Sequence, residues 1–304
     1  MALIRIDASG RGPVVHGSET PAEAALARGL ARPGKGPVIV MVHGYRFLPG
    51  DPVHCPHLHI LSDHATHPCR RAASWPRGLG IGQEERIGIA FGWPARGSIW
   101  EAYEAARRAG RSLARVIEAV QALAPGREIH AIGHSLGARV LLSMLAELRA
   151  PGPGRVLLLA GADHLSHLEV ALASPAGRAA RLLHVTSGEN RLFDLGLGML
   201  VGTGQPRDAV LGRRRHPGLP ELRLDDARQL AALAGMGFAL SGAPKRVCHW
   251  SSYLRQGTFP LYRALTGPQG ASLHAEVTRR IAETCPAAAA GWLPALPWSA
   301  NPSS

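Results

Sequence analysis

The chain predicts an α/β fold, a parallel sheet covered by helices on both faces. Apolar runs of strand length alternate with helical patterns along it. The run Val38–Val42 is almost wholly β-branched, as a strand buried on both sides requires. A third strand pattern leads straight into a serine bordered by glycines, Gly133-His134-Ser135-Leu136-Gly137, and an amphipathic helix pattern follows it.

The strands read in order as Pro37–Val42, Ile87–Phe91, Glu128–Ile132, Arg155–Ala160 and Leu182–Thr186, with a short one at Leu222–Leu224. Between the second and third, Leu113, Val116, Ile117, Val120 and Leu123 recur at helical spacing within 99–124, and Pro125-Gly126 stops that helix. Val140, Leu141, Met144, Leu145 and Leu148 mark the helix after the serine, closed by Pro151-Gly152. Residues 50–85 form a His- and Pro-rich insertion after the first buried strand. The C-terminal third is helical in patches. The reading is a single domain over 1–290 and a Pro-rich tail over 291–304, with no internal repeat.

With 304 residues, 46% of them hydrophobic, the chain can bury a sizeable core. No stretch approaches the ~18 uncharged apolar residues of a membrane span. Arg5 and Asp7 interrupt the only apolar run at the start, so no secretory signal is read and the expectation is a cytoplasmic protein. The net charge of +12 raises nucleic acid as a partner. Yet 32 of the 34 basic residues are scattered arginines, and the densest run is only Arg213-Arg214-Arg215-His216. No nucleic-acid partner and no stable membrane association are expected. The four cysteines, Cys55, Cys69, Cys248 and Cys285, form no CxxC pair and read as free thiols.

A serine hydroxyl is a weak nucleophile and needs a base and an accessible position. A strained strand-to-helix turn supplies the position, and the helix that follows aims its first amides at the reacting carbonyl oxygen. Leu136, after the serine, provides one oxyanion amide. Tyr45, in His43-Gly44-Tyr45 after the first buried strand, provides the other.

These two glycine-containing phrases, with an acid and a histidine downstream, resemble the α/β-hydrolase superfamily over roughly residues 35 to 265. Phe91-Gly92-Trp93-Pro94 and Ser187-Gly188-Glu189-Asn190 resemble a poorly characterised bacterial branch of it. The resemblance implies a mostly parallel, eight-stranded sheet, no cofactor and ester-like substrates.

The chain order of such sites is serine, acid, histidine. His164 and His167 come too early for the base, His184 lies inside an apolar strand, and His274 falls on a helix pattern whose simpler reading is a solvated face. His249 is the candidate general base. For the acid, Glu189 at the end of a strand, Asp194 one helical turn later and Asp163 after the preceding strand stay open, as does a dyad assisted by an asparagine. The simple pattern places an Asp near Asn190, where this sequence departs from it.

His54, His57, His59, His64 and His67, with Cys55 and Cys69, carry zinc-ligand chemistry, but their spacing matches no metal motif, and no metal is expected. Trp75, Trp93 and Trp100 are candidates for an apolar substrate wall or for the core. The expected activity is carboxylic ester hydrolysis by a serine esterase acting on a small-molecule ester. Its rivals are a lipase or phospholipase with a lid near 195–215, and a catalytically silent binding module.

Overall fold

The computed structural model describes residues 2–31, 34–64, 73–205, 208–242 and 247–284. The expected C-terminal tail and its Trp292, together with His67, Cys69 and Cys285, lie outside these residues. The strands are β1 (Leu3–Ser9), β2 (Gly12–Val15), β3 (Val38–Val42), β4 (Ile87–Gly92), β5 (Ile129–His134), β6 (Arg155–Leu159), β7 (Arg181–Thr186) and β8 (Glu221–Arg223). They form one eight-stranded sheet in the order β2-β1-β4-β3-β5-β6-β7-β8. Only the edge hairpin β1–β2 is antiparallel; every other neighbouring pair is parallel.

The helices are α1 (Ala22–Leu30), α2 (Trp75–Gly78), α3 (Ile99–Leu123), α4 (Leu136–Glu147), α5 (Leu165–Ala173), α6 (Pro175–Ala179), α7 (Arg191–Leu200), α8 (Ala227–Gly235), α9 (Ser251–Leu254), α10 (Thr258–Leu265) and α11 (Gly270–Thr284). The pleat divides the β3 run between two cores. Val38, Val40 and Val42 belong to the layer formed with α1, α3, α4 and α5. Ile39 and Met41 belong to the opposite layer, with α10 and α11. That division is why the strand reads as continuously apolar. Serine 98 caps α3 in a capping box with Glu101, which fixes where this 25-residue helix starts.

The sheet is thus the mostly parallel one the sequence implied. β1 and β2 were not read from the sequence. Arg5 and Asp7 break the apolar run because β1 lies next to the edge, and side chains there need not all face a core. His274 corrects an expectation: it is buried, with Nε2 3.2 Å from the Leu182 carbonyl, rather than on a solvated face. Trp75 and Trp93 are fully buried core residues, whereas Trp100 is exposed beside a pocket. No helix among the described residues is long and apolar enough to cross a membrane.

Candidate active site

β5 delivers Ser135 at the carboxyl end of the sheet, as the N-cap of α4 with φ 54° and ψ −125°. A non-glycine residue at such angles is strained, and strain of this kind persists only where the surroundings enforce it. Its own N–H donates to the Leu159 carbonyl at 2.9 Å, and its carbonyl accepts from Ala138 and Ala162. The flanking glycines are needed because the turn lies against β3. A Cβ on Gly137 would come within 2.6 Å of the Val42 carbonyl oxygen, and one on Gly133 within 2.8 Å of the Gly137 oxygen. The loop after β3 approaches from the other side: a Cβ on Gly44 would lie 2.7 Å from Ser135 Cβ. Hence Tyr45 and Leu136 line the same pocket as Ser135. Leu136 is the first residue of α4, so its N–H precedes the helical ladder.

His249 lines that pocket too, on the segment leading into α9. Its backbone is held at two points. The Cys248 N–H donates to the Glu189 carbonyl at 3.0 Å, and His134 Nε2 lies 2.8 Å from the His249 carbonyl. Burial drives His134 down to about 4, so its ring is neutral at neutral pH and donates that Nε2–H. His134 has a positional role the sequence offered no signal for. Phe193 stacks on the His249 ring with centroids 4.5 Å apart.

The partner of His249 Nδ1 is Asn190 Oδ1, at 2.6 Å. The Asn190 amide is turned this way round because its Nδ2 donates to Asp194 Oδ1 at 2.7 Å. With Asp194 Oδ1 accepting, as a carboxylate or as the carbonyl oxygen of the neutral acid, the NH₂ end faces it and the amide oxygen is left for the imidazole. His249 Nδ1 therefore carries the proton and Nε2 keeps its lone pair. Burial, with His134 nearby, holds the His249 pKa well below its ordinary value. Asp194 stands behind Asn190, and its burial raises its carboxyl to about 7.

The other acids are placed differently. Glu189 is buried and ion-paired with Arg255 Nη2, and also accepts from Ser187 Oγ at 3.2 Å. Asp163 Oδ1 collects the Tyr103 hydroxyl at 2.6 Å and Arg139 Nη1 at 2.9 Å, with His167 Nδ1 at 2.8 Å. Inside β7, His184 accepts the Gly161 N–H on Nε2 at 3.1 Å and sits 3.2 Å from Glu221 Oε1 through Nδ1, a core role. Of the four alternatives for the orienting group, the one the structure brings to His249 Nδ1 is the asparagine.

The pocket over Ser135 holds about 590 Å³ and is walled by Phe47, Ile99, Trp100, Phe193, Leu197 and Trp250. Its size and apolar lining suit a small organic substrate. Across its mouth, α7 buries Asp194 and Leu197 but exposes Leu192, Leu195, Met199 and Leu200. The Trp100 indole N–H donates to the Leu200 carbonyl at 2.6 Å and ties this helix to the start of α3.

Sheet order and strand-turn-helix geometry together define the class: the chain has an α/β-hydrolase-like fold. Residues 18–161 match the family described as "Alpha/beta hydrolase of unknown function (DUF900)". Among solved structures, TT1662 from Thermus thermophilus is 17% identical, with 62% of this chain and 80% of that chain covered at a TM-score of 0.36. The RedJ thioesterase from the prodiginine biosynthetic pathway in Streptomyces coelicolor is 15% identical, covering 54% of this chain and 74% of that one at a TM-score of 0.28. No curated protein matches the chain.

Proposed function

We propose that the protein is a serine hydrolase that cleaves carboxylic esters through an acyl-enzyme on Ser135. The observation that carries this is the His249–Asn190 bond at 2.6 Å, beside a strained serine that lines the same pocket. It fixes the tautomer a general base needs. His249 Nε2 takes the proton of Ser135 Oγ as the Oγ–carbonyl bond forms. The amides of Leu136 and Tyr45 hold the oxyanion, and preorganised donors of this kind are worth about 2.7–4 kcal/mol each. The intermediate collapses, and the alcohol leaves with the proton from His249. Water then repeats the cycle and releases the acid.

Asn190 takes the place of the usual carboxylate as the orienting group, and Asp194 positions it. Glu189 serves the scaffold through Arg255. The test is turnover of short p-nitrophenyl esters by purified wild-type and Ser135→Ala protein. Activity in the wild type that vanishes in a folded Ser135→Ala variant is expected; equal activity in both would remove Ser135 from the chemistry.

A lipid-ester reading of the same residues is favoured by α7, whose exposed Leu192 and Leu200 line the pocket and whose Leu195 and Met199 are exposed on the same helix. A rate that jumps when a long-chain ester passes from monomers to aggregates would select it over a soluble esterase.

A further inference from the structure

On the far side of β3 and β4 from Ser135, three elements bring imidazole and carboxylate groups to one point. Asp7 lies near the carboxyl end of β1, opposite Gly92 in the parallel ladder. His16 follows β2, and His57 sits in a short 3₁₀ turn, Pro56–Leu58, of the insertion. The two histidines address opposite oxygens of one carboxylate: His57 Nε2 is 2.7 Å from Asp7 Oδ1, and His16 Nδ1 is 2.7 Å from Asp7 Oδ2. One ligand atom from each of the three residues falls within 4.8 Å of the others. The rings lie 4.0 Å apart, centroid to centroid.

We propose that Asp7, His16 and His57 form a structural zinc site. Two imidazoles and a carboxylate suit zinc or a similar late first-row ion and do not suit magnesium or calcium. Zinc bonds of about 2.0–2.2 Å in a tetrahedron separate ligand atoms by roughly 3.3 Å, and one ligand atom from each of these three residues already lies within 4.8 Å of the others.

Two observations go beyond the cluster itself. His57 is fully buried, with Nε2 on the Asp7 carboxylate and Nδ1 without a hydrogen-bond partner among the described residues. The space is also kept open by a glycine: a Cβ on Gly92 would lie 2.3 Å from Asp7 Oδ1 and 2.7 Å from His57 Nε2, the atoms that would bind the ion. Cys55 Sγ stands 3.8 Å from His16 Nε2 and partners the remaining nitrogen of that ring, as groups behind metal-bound histidines do. The second cluster of this kind, Asp163 with His164 and His167, is a poorer site because the Arg139 guanidinium already neutralises its carboxylate.

A metal here would pin the insertion to the sheet edge. The same loop runs back through Phe47 to Tyr45, held on the way by Leu48 N–H to the His54 carbonyl at 3.0 Å. Its role would be to stiffen the wall of the pocket, without touching the reacting atoms.

The test is metal analysis of the untagged full-length chain, stripped with chelator and then equilibrated with zinc chloride, alongside its thermal unfolding. About one zinc per chain and a rise in Tm of several degrees are expected. Both should be lost in Asp7→Asn and in His16→Gln, while His167→Gln, in the other cluster, keeps them. His16 is the most exposed of the three ligands, so His16→Gln carries the test should Asp7→Asn fail to fold. A folded wild-type chain that retains no zinc and shows no Tm response overturns the proposal. Full retention of zinc by folded His16→Gln overturns it equally.

Discussion

His249 presents Nδ1 to the side-chain oxygen of Asn190 at 2.6 Å, so an amide stands where a carboxylate would be expected to orient the base. An amide fixes the tautomer but adds no negative charge to stabilise an imidazolium. The pH behaviour of the site follows from that difference.

Activity is lost when His249 becomes protonated. Burial without a charged partner holds its pKa well below 6.5, so the acid limb of a kcat/KM profile should fall below that value, with a plateau across neutral pH. Asn190→Asp supplies the missing charge and should move the limb upward, whereas Asn190→Ala should cost roughly 10²-fold in kcat. Profiles with a p-nitrophenyl ester across the acidic range check all three. An acid limb at the same pH in wild type and Asn190→Asp would rule out the assigned pairing.

Asp194 should leave a mark on stability. Its carboxyl titrates at about 7 when folded, against 3.8 as the ordinary value. The folded state therefore keeps the proton over a range where the unfolded chain has released it. The associated stability is fully present below about 3.8 and is lost as pH rises through about 7. Asp194→Asn should flatten this slope, a difference of a few kcal/mol between acid and neutral pH in urea unfolding. It should also keep most of the turnover, since the new amide oxygen still accepts from Asn190.

Gly44→Ala should injure catalysis more than binding. The added methyl would meet Ser135 Cβ at 2.7 Å and the His134 carbonyl oxygen at 2.8 Å, forcing the Tyr45 loop away from the oxyanion. A fall of about 10²–10³ in kcat, with KM changed far less, is expected from steady-state kinetics.

Trp100 sits 57% exposed at the pocket edge and holds the last turn of α7 through Leu200. Trp100→Ala removes both an apolar wall and that tie. Hexanoyl esters should lose roughly tenfold in kcat/KM while acetyl esters change little. An equal loss for both would place Trp100 outside the acyl site.

The fold was legible wherever a strand is buried on both faces, as β3 through β7 are, because apolar residues dominate them even where a buried histidine such as His130 or His184 falls within the run. The β1–β2 hairpin was not, since Arg5 and Asp7 fall within an edge segment. In the candidate site, Ser135 and the Tyr45 loop stood out because each follows a strand end, whereas His249, which α8 separates from β8, was reached by elimination among the downstream histidines. The orienting group could not be chosen. Glu189 and Asn190 are adjacent in a short turn, Gly188–Asn190, and the choice depends on Arg255, 66 residues from Glu189 in the chain, drawing the glutamate to itself. The asparagine then takes the side facing the histidine. In the insertion, His57 looked unmatched because its partners Asp7 and His16 lie far upstream, in the hairpin the sequence concealed.

The claim that Ser135 is an activated nucleophile is tested most directly by mass spectrometry of the intact chain after treatment with a fluorophosphonate. One adduct per chain is predicted, mapping to the peptide that contains Gly133–Gly137 and absent from heat-denatured protein and from Ser135→Ala. A folded protein that takes up no label, or takes it up at another residue with Ser135 unmodified, would contradict it.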